Sequence, residues 1–154
     1  MTYWIDLFTG ETWKQFRDAG SRISGFSMNS KSAAAKVKPG DVFLCYLTGV
    51  MRWVGALRVT ASSKNTDPIW GKGLFPIRFE VEPIIELEPE YGMPMAELEG
   101  KVAFYQGAKD RGKFKGIIRK SLNPLSAKDG ELIFNLLDDS KINPNFLPVD
   151  PNQH

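Results

Sequence analysis

Apolar residues fall in short blocks along this chain, separated by glycine, proline and polar turns, and the spacing inside each block decides its element. Tyr3 to Leu7 reads as a buried first strand. Thr9-Gly10-Glu11-Thr12 is a turn into a short helix, Trp13 to Ala19, which Thr9 or Thr12 can cap by accepting from the unpaired N–H groups of the first turn. Trp13 and Phe16 share a face of that helix and are expected in the core, and Gly20 closes it. Residues 21–32 are polar with isolated apolar positions and read as a loop, followed by a short helix over 33–37 and the turn Lys38-Pro39-Gly40-Asp41. Val42 to Thr48 is expected as a buried strand with Arg52 to Thr60 as its hairpin partner. Alternation places Trp53, Gly55, Leu57 and Val59 on one face, and Gly55 would admit a close neighbour or a bend.

The second half is less regular. Residues 62–73 form a long loop, and Leu74 to Leu87 reads as a strand with Pro76 near its start, where an edge tolerates it. Pro94 to Leu98 suggests a helical turn, while residues 102–107 fit either a strand or an apolar turn. Ser126 caps the clearest helix, Ala127 to Asp138, whose Leu132, Ile133, Leu136 and Leu137 form one stripe. Four or more strands with short helices at their ends point to an α+β fold, a small mixed or antiparallel β-barrel with helical flanks. One domain over residues 1–140 is expected, with a Pro/Asn-rich tail over 141–154 that is disordered at its end.

Composition narrows the chemistry. The one histidine is His154, so a Ser-His or Cys-His mechanism has no base, and no Cys/His cluster could bind a metal. No Walker A or G-x-G-x-x-G motif is present, and neither cofactor nor metal is expected. The lone Cys45 in an apolar run, and the lack of a signal-like or membrane-spanning stretch, fit a reducing cytoplasmic setting. Glu80, Glu82, Glu86 and Glu88 alternate as one solvated strand face rather than as paired catalytic acids. Net charge is only +2, but residues 109–120 carry Lys109, Arg111, Lys113, Lys115, Arg119 and Lys120 against Asp110 alone. A basic face of this kind can follow a phosphate backbone.

Trp70 stands out because Thr66-Asp67-Pro68 and Gly71-Lys72-Gly73 flank it, so it belongs to no periodic stripe. Two roles suit such a ring: a wall on which a base stacks, or a lid folded back over the core.

The segments Thr2-Tyr3-Trp4-Ile5, Val37-Lys38-Pro39-Gly40-Asp41, Trp53-Val54-Gly55-Ala56-Leu57-Arg58-Val59-Thr60 and Trp70-Gly71-Lys72-Gly73-Leu74-Phe75-Pro76-Ile77-Arg78-Phe79, taken in order, resemble the EVE domain family, a PUA-like branch related to the YTH domains. The last is similar to the loop-to-strand segment of YTH domains. The resemblance spans roughly residues 2–138 and implies a non-catalytic PUA-like reader that takes a flipped, modified base of DNA or RNA into an aromatic pocket. It implies base contacts by Trp70, Phe26, Ser27, Asn29 and Asp6; Ser27 and Asn29 equally suit local caps and Asp6 a surface turn, while alternation makes Trp53 core or, alternatively, pocket floor. Lys31, Lys113, Lys115 and Arg119 are the phosphate candidates. Tyr105 and Phe114 flank the basic stretch and either stack or pack. Ser24 departs from the pattern, since several relatives carry Trp there. Either Phe26 supplies that wall, or the pocket is more open or takes another base. Two rival readings stay open: a nuclease-like enzyme using Asp6, Glu11 and Lys113, and a protein-interaction module with the aromatics as hot spots.

Overall fold

The alternation of side chains in a single curled sheet divides the apolar residues between two buried faces. The computed structural model describes residues 1–107, 116–119, 121–150 and 152. Its strands are β1 (Tyr3–Phe8), β2 (Ile23–Phe26), β3 (Val42–Leu47), β4 (Arg52–Ser63), β5 (Ile77–Glu86), β6 (Met93–Pro94) and β7 (Asn123–Leu125). They lie in the order β2-β5-β4-β3-β1-β7, with β6 beside β4. β1 and β3 run parallel, and the other pairs are antiparallel. β1 and β2 stand four places apart in that order, yet Ser24 Oγ on β2 donates to Asp6 Oδ2 on β1 at 2.5 Å. Only a strongly curled sheet brings them together, so the expected α+β fold with a small barrel takes the form of a half-barrel with short helices.

The concave face holds Trp4, Phe8, Phe26, Phe43, Leu57 and Phe79. Helix α1 (Gly10–Asp18) adds Trp13 and Phe16, as expected from their spacing. A Cβ at Gly55 would stand 2.9 Å from the Trp13 ring and 3.0 Å from the Ile85 carbonyl, so the glycine makes room for that tryptophan. The convex face carries Ile5, Leu44, Tyr46, Trp53 and Ile85, covered by Ile133 and Leu137 of the C-terminal helix, α3 (Ala127–Ile142).

The expected face for Trp53 is wrong. Cys45 pairs with Gly55 but Tyr46 pairs with Trp53, so β4 has one extra residue at Val54. That bulge reverses the alternation. Trp53 therefore lies on the convex side, its ring 4.9 Å from Tyr46, away from Leu57 and Val59.

Several boundaries also move. Helix α1 starts at Gly10, because Thr9 and Thr12 each accept from the other's backbone N–H in a reciprocal cap. Residues 21–32, read as loop, contain β2, a single turn over 28–30 and the start of the short helix α2 (Lys31–Ala34). β2 lacks a signal of its own, since Ser24 and Gly25 interrupt the apolar alternation. β7 is short and includes Pro124 at the sheet edge. β5 starts at Ile77 rather than Leu74. Residues 102–105 resolve as an apolar turn closed by a Val102–Tyr105 bridge. In the tail, the Arg52 guanidinium donates to the carbonyls of Leu147 and Pro148, and Phe146 packs edge-on to Tyr91. Among the described residues no helix is long and apolar enough to cross a membrane.

Asp41 ties the first strand to the turn before β3. Its carboxylate accepts from Thr2 N–H at 2.9 Å, Trp4 Nε1 at 3.0 Å and Lys38 N–H at 2.9 Å. Burial raises its pKa, but these bonds together outweigh burial and hold it below the usual carboxylate value. Asp41→Ala leaves the buried Trp4 N–H without its acceptor and should lower unfolding free energy by about 2–3 kcal/mol, read by urea denaturation at pH 7.

Candidate base-binding pocket

The concave face opens at one end into a cavity of about 250 Å³. At about 30 Å³ per water molecule, that is space for roughly eight waters, or one small planar group. Its lining comes from four places in the sequence. β1 and the start of α1 supply Leu7, Phe8 and Thr12, and β2 with its following turn supplies Gly25, Phe26, Ser27, Asn29 and Ser30. The loop before β5 supplies Trp70 and Phe75, and the approach to β7 supplies Arg119 and Ser121.

Trp70 is only 8% exposed and packs into the concave core, yet it also forms part of the cavity wall. Lid and wall are the same ring. Its Nε1 donates to the Thr12 carbonyl at 3.1 Å, which anchors the loop to α1. Phe75 meets it edge-on at 88°, with centroids 5.4 Å apart. The two rings make a corner rather than a sandwich. Gly25 sits against that corner: a Cβ there would lie 2.8 Å from Trp70 and 2.9 Å from Phe75 Cβ.

Arg78 sets this loop, and nothing in the sequence pattern marked it. Its guanidinium is buried and donates to the carbonyls of Phe75, Asp67 and Leu74 and to Asn65 Oδ1. Its Cζ also lies 5.4 Å from the centroid of the Trp70 ring, a cation–π distance. Phe75 adopts φ +53°, a conformation that side chains seldom take, and the bond from Arg78 to its carbonyl helps hold it there.

Of the residues singled out from the sequence, Trp70, Phe26, Ser27, Asn29 and Arg119 come together around this cavity. Phe26 reaches it, though its ring is 2% exposed and packs edge-on with Phe43 and Phe79. Ser27, Asn29 and Arg119 are exposed at its rim. Lys31 is exposed at the start of α2, just beyond the lining residues. Trp53 is excluded from the wall by the β4 bulge. Asp6 is not on the wall either. It occupies the layer beneath Phe8, as Ser24 does beneath Phe26, since each lies two residues earlier on its strand. Ser24 is fully buried and points at Asp6, so the position where the EVE-like resemblance implies an aromatic wall adds no ring here. Lys113, Lys115 and Phe114 lie outside the described residues. Tyr105 packs against the convex core. Glu11 borders a separate depression with Arg17, Glu86 and Glu88, so the two carboxylates of the nuclease reading, Asp6 and Glu11, are not brought together. Glu80 and Glu82 are solvated as expected, whereas Glu86 pairs with Arg17 and accepts from the Ser21 hydroxyl. Phe75, Arg78, Ser30 and Ser121 are the site residues that sequence reasoning missed. Among the described residues no group of three or more His, Cys, Asp or Glu side chains is placed to hold a metal ion.

Asp6 is fully buried, and desolvation pushes its pKa up to about 8, against the lowering effect of the Ser24 hydrogen bond. At neutral pH it is therefore mostly the neutral acid. Cys45, its register partner on β3, is pushed up by burial and then by the charges of Asp6 and Glu86.

Comparison with known proteins places this arrangement. No family model matches the sequence, and no curated protein is similar to it. Solved structures do match. The YTH domain of Mmi1 in complex with RNA superposes with a TM-score of 0.63 at 14% identity, over 92% of this chain and 80% of that one. The YTH domain of Zygosaccharomyces rouxii MRB1, in complex with N6-methyladenosine RNA, gives 0.62 at 12% identity, over 97% and 88%. Rpa0253 from Rhodopseudomonas palustris gives 0.58 at 16%, over 90% and 94%. The fold is YTH-like. At these identities the likeness shows the architecture alone.

Two outcomes follow from the geometry of Asp6 and Arg78. Below about pH 4 Asp6 is protonated whether the chain is folded or not. Between about 4 and 8 the unfolded chain loses that proton while the folded chain keeps it, so stability falls as pH rises and levels off above about 8. The Tm of Asp6→Asn minus that of the parent should accordingly increase by several degrees from pH 4 to pH 8.5, read by calorimetry. Arg78→Lys replaces the planar fork with a single ammonium that cannot reach four acceptors. Trypsin cleavage at Lys64 and Lys72 should then be markedly faster, with the rest of the domain still protected.

Proposed function

We propose that this domain reads a modified base of a single-stranded nucleic acid, taken out of its stack into the cavity bounded by Trp70 and Phe75. The observation that carries this reading is the aromatic corner itself. Arg78, Gly25 and the Thr12 carbonyl hold two rings at right angles beside space that no side chain of the described residues fills. Such a corner stacks a planar ring on one face and encloses a small apolar group against the other ring, which suits a base carrying a methyl group. Arg119 at the rim and Lys31 nearby are suited to the phosphates on either side of a flipped nucleotide. The solved YTH domains that share the fold include one in complex with N6-methyladenosine RNA, which makes methylated RNA the first ligand to try. The EVE-like order of motifs supports a PUA-like reading and keeps modified DNA beside methylated RNA. No catalytic role is proposed.

The test is a fluorescence-anisotropy titration with short single-stranded RNA and DNA carrying N6-methyladenine, 5-methylcytosine or 5-hydroxymethylcytosine, against unmodified controls. One modified probe should bind at least tenfold tighter than its control, and Trp70→Ala should remove about 1–3 kcal/mol of that affinity. Arg119→Gln should weaken modified and unmodified probes alike and flatten the dependence on salt. Equal affinity for every probe, unchanged in Trp70→Ala, would overturn the proposal.

A further inference from the structure

The polar part of the cavity wall has one obligate acceptor and one free proton, both set by the backbone. The last β1–β7 pair is Ile5 with Asn123, so the continued register brings Leu7 opposite Ser121 two positions further on, beyond the end of the strand. There the Leu7 N–H donates to Ser121 Oγ at 2.8 Å, the hydroxyl standing where a ladder carbonyl would be. The Ser121 carbonyl in turn accepts from Ser30 Oγ at 2.9 Å. Ser121 is thus held at its side chain by β1 and at its backbone by the turn after β2.

A hydroxyl has one proton and two acceptor lone pairs. Leu7 occupies one lone pair of Ser121 Oγ, which leaves its proton to be given away alongside a second lone pair, and among the described residues no acceptor meets that proton. Ser30 is the reverse case. A carbonyl can only accept, so Ser30 has spent its proton on Ser121 and presents lone pairs alone. Both residues line the cavity, one as a donor and one as an acceptor, within a residue's width of each other. Serine hydroxyls usually rotate to suit a partner, but here Ser30 is committed to accepting, and the one free proton of the pair is on Ser121.

We propose that Ser121 and Ser30 read the edge of the bound base, Ser121 donating to an acceptor on the heterocycle and Ser30 accepting from an adjacent N–H. The proposal rests on the base-reading function above and narrows its ligand. The base must keep one acceptor beside one N–H on its exposed edge. A single methyl on an exocyclic amine, or a methyl on a ring carbon, meets that requirement. A second methyl on the amine removes the N–H, and a methyl on the edge ring nitrogen removes the acceptor. Ser121 is in this view a specificity residue, and Leu7 and Ser30 position it.

The experiment pairs a change in the protein with the matching change in the probe. Two RNA hexamers are titrated, one with N6-methyladenosine and one with 1-deaza-N6-methyladenosine, in which a C–H replaces the ring acceptor. If cytosine derivatives are preferred, 5-methylcytidine and its 3-deaza form take their place. The parent chain should lose about tenfold on the deaza probe, the usual worth of one neutral hydrogen bond. Ser121→Ala should lose about tenfold on the intact probe and nothing further on the deaza probe, and Ser121→Thr, which keeps the hydroxyl, should restore the difference. N6,N6-dimethyladenosine should bind as weakly as unmodified RNA. Equal weakening of both probes in Ser121→Ala would mean that the residue only supports β1, and an unchanged affinity would mean that it takes no part; either overturns the proposal. A parent chain that binds intact, deaza and unmodified hexamers alike would overturn the base-reading function, and this inference with it, a pattern distinct from the other two.

Discussion

The contact between Asp6 and Ser24 across the interior of the sheet is the constraint from which the site follows. β1 and β2 are consecutive strands in the chain but are separated by β5, β4 and β3 in the sheet, so their inward side chains meet only if the sheet rolls up. Rolling buries both faces, and the concave one is narrow enough to be filled by aromatic rings from four strands, α1 and the Trp70 loop. The polar pair lies one layer below Phe8 and Phe26, and the cavity opens above them. A charged carboxylate at that depth would be costly without a cation beside it. The acid remains neutral instead, with its hydrogen bond to Ser24 intact.

Arg78 plays the corresponding part for the loop. A segment rich in glycine and proline has no ladder to satisfy its carbonyls, and three of those carbonyls converge on one guanidinium. Because the fork is planar and rigid, it constrains several backbone positions at once, including Phe75 in its left-handed conformation. The cation also lies over the Trp70 ring, so that ring is occupied on its protein side and open only toward the cavity. A loop tryptophan that looked free in the sequence is among the most constrained side chains of the pocket.

What could be read from the sequence was what depends on local spacing. The buried strand Val42–Leu47, the cap at Ser126, the core face of α1 and the tight approach at Gly55 follow from periodicity and from residue chemistry that acts over a few positions. The misses share a different cause. Trp53 changed faces because of a single extra residue at Val54, which no alternation count registers. β2 was hidden because Ser24 is buried by a partner 18 residues away, and a serine carries no sign of that in its own neighbourhood. Arg78 looked like an outward residue on a strand, and Ser121 like a polar residue before a proline; both gain their roles from segments distant in the chain. In the pocket, aromatic and basic residues were legible because their types are scarce and suggestive, whereas the polar residues that orient a ligand are common types made special only by their partners.

That division has a consequence for how the site can discriminate. An aromatic corner attracts any flat ring, and the free energy it contributes depends mostly on area and polarizability, so it supplies affinity with little selectivity. Oriented polar groups behave in the opposite way. They contribute modestly when matched, because the ligand exchanges bonds to water for bonds to protein, but a mismatched group leaves a desolvated donor or acceptor unpaired. With Ser30 committed to accepting and the one free proton of the pair on Ser121, an edge that offers two acceptors leaves one of them unpaired. With Ser24 adding no ring opposite Trp70, the less selective part of the pocket is weaker and the more selective part is untouched. A two-ring corner with no opposing wall and a set polar edge should therefore bind more weakly than a full cage while discriminating among base edges at least as well.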